Sequence, residues 1–92
     1  FNETVWKRQA KNIVFRGCYL KFTQNPELLG ALLNTGDSTL VEASPTDCVW
    51  GIGLGMNNPG RFDRNLWRGQ NWLGEVLTSV RDYIRAEQED YK

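Results

Sequence analysis

Glu42-Ala-Ser-Pro-Thr-Asp47-Cys-Val-Trp50-Gly-Ile-Gly-Leu54 leads into a stretch, residues 44–70, punctuated by turn signals at Ser44-Pro45, Asn57-Asn58-Pro59-Gly60 and Arg68-Gly69. Irregular segments of this length in a compact domain are usually functional or disordered. This one carries Trp50, Ile52, Leu54, Phe62 and Trp67. Such an apolar load predicts an ordered loop packed on the domain. Immediately before it, Thr39-Leu-Val-Glu-Ala43 is a β-rich run with alternating character and predicts one short strand. Everything further out reads as helix, so the fold class is mainly α, α+β at most, with one short strand and a long ordered loop.

Residues 4–23 read as a helix with Thr4 as N-cap. Trp6, Ala10, Ile13, Gly17 and Leu20 fall at helical spacing on one apolar stripe, widened by Val14 and Cys18. Lys7, Arg8, Lys11 and Lys21 lie mostly off it, as on a solvated face. Residues 26–35 form a second helix: Asn25 caps it, Pro26 takes the first helical position, and Glu27 meets the positive end of the dipole. Leu28, Leu29, Leu32 and Leu33 make its buried face, and Gly36 ends it with positive φ. Residues 71–88 form the last helix, with Asn71 as N-cap. Trp72, Leu73, Val76, Leu77, Val80 and Ile84 face inward, and Arg81, Asp82, Arg85 and Glu87 face solvent. The tail from Glu89 to Lys92 is expected to fray.

Ninety-two residues bound the chain to one domain at most. Eleven basic residues balance eleven acidic ones, which leaves no footprint for sequence-independent nucleic-acid binding. There is no histidine, so Ser-His-Asp and Cys-His mechanisms are excluded. Two cysteines in unlike surroundings, Cys18 and Cys48, point to a reduced compartment, cytoplasmic with a nuclear alternative. No apolar run reaches membrane-spanning length, and no membrane partner is expected. The chain begins at Phe1 rather than Met, which is read as a processed, excised or incomplete chain.

Glu42 and Asp47 flank Ala-Ser-Pro-Thr, where Pro45 enforces a turn that can bring two carboxylates to one rim. Paired carboxylates beside an apolar wall recur where glycosidic bonds are cleaved. The structural alternative is that Asp47 caps a turn and Glu42 pairs with a surface arginine. Gly51-Ile-Gly-Leu-Gly55 would let backbone N–H groups approach phosphate, but Met56 stands where a dinucleotide fingerprint needs its third glycine, and a turn-rich connector is the alternative. Trp50 and Trp67 offer flat faces for a base, or are core anchors. Trp67-Arg-Gly-Gln-Asn-Trp-Leu-Gly74 joins a turn to a helix start whose N–H groups suit an anion, or are simply capped by Asn71.

The order and spacing of these runs resemble the C-terminal part of the YbiA-like, or NADAR, family. The resemblance rests on Lys21-Phe-Thr-Gln-Asn25-Pro-Glu-Leu28, Leu32-Leu-Asn-Thr-Gly36, Leu40-Val-Glu42-Ala-Ser-Pro-Thr-Asp47-Cys-Val-Trp50-Gly-Ile-Gly-Leu54, Leu66-Trp67-Arg-Gly69-Gln-Asn71-Trp-Leu73-Gly74 and Val80-Arg81, across about residues 6–85. It implies hydrolysis of an N-glycosidic bond, in phosphorylated ribosylamino-pyrimidine intermediates of riboflavin synthesis or in ADP-ribose attached to guanine, including ADP-ribosylated nucleic acid. It implies no metal and no cofactor. By analogy Glu42 and Asp47 face the ribose and leaving group, Trp50 walls the base, Gly51, Ile52, Gly53 and Leu54 line the phosphate-bearing part, and Trp67, Asn71 and Gly74 shape the other rim. The chain departs from the family in lacking its N-terminal half, with a Glu-bearing helix and a lysine in an Ala-x-Lys-Ala-like context that is a candidate nucleophile. Residues 1–92 are therefore expected to be the C-terminal portion of a single domain, completed by a second segment or chain, or else a nucleotide-binding module without activity. A small helical interaction domain is the further alternative. Cys48 and Trp72 are unusual residues within the family runs.

Overall fold

A computed structural model describes residues 2–90. Helix α1 spans Glu3–Thr23, α2 Pro26–Leu33 and α3 Trp72–Asp90, with short 3-10 turns at Pro59–Phe62 and Arg64–Leu66. The fold is mainly α. The expected strand over residues 39–43 forms no ladder, and no strand occurs among the described residues. The two 3-10 turns also break up what reads in sequence as one irregular loop. Of the tail expected to fray, Glu89 and Asp90 are helical, and Tyr91 and Lys92 lie outside the described residues.

Local signals place the helix ends with small corrections. The N-cap of α1 is Asn2 rather than Thr4: its side-chain oxygen accepts the N–H groups of Thr4 (3.0 Å) and Val5 (3.2 Å), two of the orphan donors that every helix start must satisfy. Pro26 and Glu27 occupy the first turn of α2 as expected. Asn25 holds the cap position, but its side chain donates instead to the Lys21 carbonyl (2.6 Å). The helix closes at Leu33, two residues early, and Gly36 takes φ +66° in the turn beyond.

The chain divides into two compact units, Phe1–Ser38 with Val76–Lys92, and Thr39–Glu75. In the first, Ala10, Leu32, Val76, Val80 and Ile84 are buried. Of the expected stripe on α1, Ala10 is buried and the flanking Val14 and Cys18 are half-buried, but Trp6, Ile13, Gly17 and Leu20 are exposed. Phe15 and Tyr19 meet Tyr83 edge-on, at centroid distances of 5.8 and 5.7 Å, and the Tyr19 hydroxyl donates to Glu87 (2.9 Å). Apolar residues on α1 lie on more than one face, and the ring of Tyr83 selects the one carrying two aromatics.

Arg81 was expected to face solvent and is 2% exposed. The C-terminal carbonyls of a helix have no partners within it, and the turn after α2 leaves such acceptors. Arg81 donates through Nη1 to the Thr35 hydroxyl (3.0 Å) and the Ser38 carbonyl (2.7 Å), and through Nε to Asp82 (3.0 Å). Arg85 adds bonds to the carbonyls of Leu33 (3.3 Å) and Gly36 (3.0 Å) and to Asp37 (3.0 Å). The two guanidinium groups act as a cap supplied by another helix. Arg81→Ala strands two acceptors and is expected to cost about 2–4 kcal/mol in urea denaturation. Arg81→Lys should recover only part of that loss, because an ammonium cannot reproduce the planar fork.

Candidate active site

All ten residues singled out from the sequence fall in the second unit, Thr39–Glu75. Its frame is a pairing of two irregular backbones. The carbonyl of Cys48 accepts the N–H of Gln70 (2.8 Å), Val49 that of Trp72 (3.0 Å), Trp50 that of Leu73 (3.0 Å) and Gly51 that of Asn71 (2.9 Å). Ile52 accepts from both Arg68 and Gly69, each at 2.8 Å. Such contact needs residues without side chains. A Cβ on Gly51 would stand 2.8 Å from the Asp47 carbonyl oxygen and 2.9 Å from that of Glu42, and one on Gly69 would fall on the backbone of Cys48 and Gly51. Glycine here closes the loop on itself.

Asn71 ties this frame to the segment that carries Glu42. It is 1% exposed and has φ +55°, a left-handed conformation that Asn tolerates better than most residues. Its carbonyl accepts the N–H of Glu75 (3.0 Å), as an N-cap carbonyl does. Its side chain does something the sequence did not indicate: Oδ1 accepts the Glu42 N–H (2.9 Å) and Nδ2 donates to the Leu40 carbonyl (3.0 Å). The amide bonds this segment as a neighbouring strand would, although residues 39–43 form no ladder. Gly74 is required beside it, because a Cβ there would overlap the Leu40 carbonyl oxygen and the Asn71 amide.

Asp47 organises the loop directly. Its Oδ1 accepts the N–H groups of Trp50 (2.8 Å) and Val49 (3.0 Å), and its own N–H donates to the Ser44 hydroxyl (3.2 Å). The Trp50 N–H above all, with smaller help from Val49 and Gly51, holds its carboxyl below the ordinary aspartate value, against a lesser upward push from burial. A lowered folded pKa gives stability that is complete above the ordinary value and lost as pH falls through the folded one. Near-ultraviolet circular dichroism of the loop tryptophans is therefore expected to lose intensity on acidification across that window. Asp47→Asn, which keeps the acceptor oxygen but cannot titrate, should remove this component; an identical acid profile in the variant would contradict the assignment.

Glu42 is half-buried, and among the described residues its carboxylate makes no hydrogen bond or ion pair. Its backbone carbonyl accepts from Ile52 (2.9 Å) and Ser44 (3.0 Å), so its position on the loop is fixed. Trp50 is half-buried and meets Trp72 edge-on at 5.3 Å and 81°. Ile52 and Leu54 are core side chains, 0% and 4% exposed. They support the loop from behind rather than line a surface. Trp67 is half-buried, donates through Nε1 to the Arg61 carbonyl (2.9 Å), and has the Arg64 guanidinium 5.2 Å from its ring centroid. The N–H groups of Gln70, Asn71, Trp72 and Leu73, suited to an anion in the sequence, are already taken by loop carbonyls.

The sequence reading passed over Arg61 and Arg64. Arg61 lies 4.1 Å from the centroid of the exposed Phe62 ring, and Arg64 caps Trp67 as described. The signal was present as basic residues interleaved with aromatics in Arg61-Phe-Asp-Arg-Asn-Leu-Trp-Arg68. Cys18 is half-buried and Cys48 exposed, and both are free thiols. Burial pushes the Cys18 thiol up, with Lys21 opposing in part. No helix among the described residues is long and apolar enough to cross a membrane.

The chain is mainly α, and its second unit holds a glycine-closed loop that bears two carboxylates and a tryptophan. The chain belongs to the NADAR domain family, whose domain it matches over residues 1–85. It is 48% identical over 82 residues to an N-glycosidase of Acanthamoeba polyphaga mimivirus, a match covering 89% of this chain and 48% of that protein. An N-glycosidase of Nostoc punctiforme is 36% identical over 80 residues, covering 87% of this chain and 44% of that protein. The chloroplastic riboflavin biosynthesis protein PYRR of Zea mays is 35% identical over 81 residues, covering 88% of this chain and 11% of that protein. The chain thus spans about half the length of the first of these relatives. No solved structure matches it.

Proposed function

We propose that this chain supplies the carboxylate-bearing wall of an N-glycosidase acting on a phosphorylated ribosyl substrate. The observation that carries the reading is the placement of Glu42 and Asp47 on one glycine-closed loop, with Trp50 bonded to the second of them. The names of the mimivirus and Nostoc relatives support the reaction type. In the reaction water adds to the ribose C1, the C1–N bond breaks, and a proton passes to the departing base. Glu42 orients and deprotonates that water. Asp47, kept ionised by its backbone donors, lends negative charge to the oxocarbenium-like ribose. Trp50 walls the base, and Arg61 and Arg64 beside Trp67 bind phosphate. Gly51, Gly53, Asn71 and Gly74 hold these groups in register, with Ile52 and Leu54 packed behind them. The remaining length found in the relatives completes the site, and the setting is cytoplasmic.

The test is release of free base by the complete polypeptide, offered a phosphorylated ribosylamino-pyrimidine in one arm and ADP-ribosylated guanine, free or in nucleic acid, in the other. Release in one arm that is abolished by Glu42→Gln supports the reading and names the substrate class. Absence of release in both arms, with ADP-ribose binding to the chain by calorimetry, would replace it with a nucleotide-binding module without activity.

A further inference from the structure

Trp50 is half-buried, and its N–H is bonded to Asp47. That bond fixes the backbone, not the ring, which keeps two torsions of its own. The ring is met by Trp72 at a centroid distance of 5.3 Å and 81°, the edge-on arrangement that ring quadrupoles favour. Trp72 itself is 7% exposed. The outer torsion of a tryptophan is roughly two-fold, so its N–H can point to either side of the same slot. A buried indole N–H needs an acceptor, and the Gln70 Oε1 supplies one at 3.0 Å. The acceptor therefore selects one of two ring orientations. Packing alone does not ask for this arrangement, which holds an exposed, rotamer-rich glutamine in place at a cost in entropy. The same two residues also hold the loop by backbone, the Gln70 N–H donating to the Cys48 carbonyl (2.8 Å) and that of Trp72 to the Val49 carbonyl (3.0 Å). The segment carrying Trp50 is thus gripped both through its carbonyls and through its ring.

We propose that Gln70 and Trp72 are positioning residues that fix the tilt of the Trp50 ring for stacking on the base of the ligand, a proposal that rests on Trp50 being the base wall. Gln70 sets the orientation of Trp72, Trp72 sets that of Trp50, and the uncovered part of Trp50 takes the base. A ring fixed beforehand loses little freedom when the ligand arrives, so more of the stacking attraction appears as affinity. A loose ring forfeits part of it. Only the base feels this difference. Ribose and phosphate are held by other groups, so their share of the affinity is independent of Gln70 and Trp72.

The complete polypeptide is titrated by calorimetry with guanosine monophosphate and with ribose phosphate, which differ in the base. Wild type is expected to bind the nucleotide roughly 10-fold more tightly, within the range that one stacked base supplies. Gln70→Leu should at least halve that preference and leave the affinity for ribose phosphate unchanged. The altered side chain is exposed, so this variant should fold. Gln70→Glu keeps an acceptor oxygen for the indole N–H and should restore the preference. Trp72→Leu removes the supporting ring and should abolish it. A wild type without preference for the nucleotide overturns the proposal. So does a Gln70→Leu variant with the full preference, or one that loses affinity for both compounds in step, as replacement of a merely structural residue would. Base release is not read in these titrations. A protein that prefers the nucleotide but releases no base from either substrate class therefore fails the glycosidase reading alone.

Discussion

Asn71→Ala is expected to be among the most destabilising single substitutions in this chain, at about 3–8 kcal/mol, because it removes a hydrogen bond from each of two backbone groups and places alanine at positive φ. The groups are the Glu42 N–H and the Leu40 carbonyl, both bonded to the Asn71 amide, which is 1% exposed. An unmet buried polar group costs about 1–3 kcal/mol and the left-handed backbone about 1–2 kcal/mol for alanine. Small domains have little margin against such a sum. Companion variants separate the contributions. Asn71→Gly relieves φ but removes both hydrogen bonds of the amide, so most of the loss should remain. Asn71→Asp keeps the acceptor for Glu42 and removes the donor to Leu40, so it should fall between. Equal stability of Asn71→Gly and wild type in urea denaturation would show that backbone conformation, not the amide, decides.

Glu42→Gln carries the largest expected effect on activity. In the complete polypeptide, kcat should fall roughly 10²–10⁴-fold, the usual range for removing a positioned general base. KM should stay within about threefold, because glutamine preserves the shape of the site and removes only the group acting in the transition state. The backbone bonds of Glu42 to Asn71, Ile52 and Ser44 do not involve its carboxylate, so stability should be unaffected. Asp47 behaves differently. Asp47→Asn keeps an oxygen for the N–H groups of Val49 and Trp50, so any fall in kcat reports the lost charge. Asp47→Ala removes the loop bonds as well and should raise KM alongside the fall in kcat. Parallel losses in kcat and stability for Glu42→Gln would mean that its carboxylate is structural.

The parts of this fold legible in the sequence are those governed by neighbours within a few residues. Pro26 and Glu27 opening α2, Gly36 with positive φ, and the inward residues of α3 all follow from capping, dipole and helical period. The candidate site residues were singled out by the order of their motifs, and all of them lie in one unit of the structure. What each does was less visible. Gly51-Ile-Gly-Leu-Gly55 suggested an approach to phosphate, yet Gly51 makes room for the carbonyls of Glu42 and Asp47, and Gly53 for the side chains of Arg68 and Cys48.

By itself the sequence determined a mainly helical chain and its membership of the NADAR domain family. Only the tertiary structure decided which face of α1 is covered, why Arg81 is buried, and how the Asn71 amide bonds Leu40 and Glu42. The physical reason is common to the three. Helical spacing shows which side chains share a face, but burial and polar pairing depend on what arrives from elsewhere in the chain. Tyr83 comes to Phe15 and Tyr19, the carbonyls after α2 come to Arg81, and Leu40 and Glu42 come to the Asn71 amide.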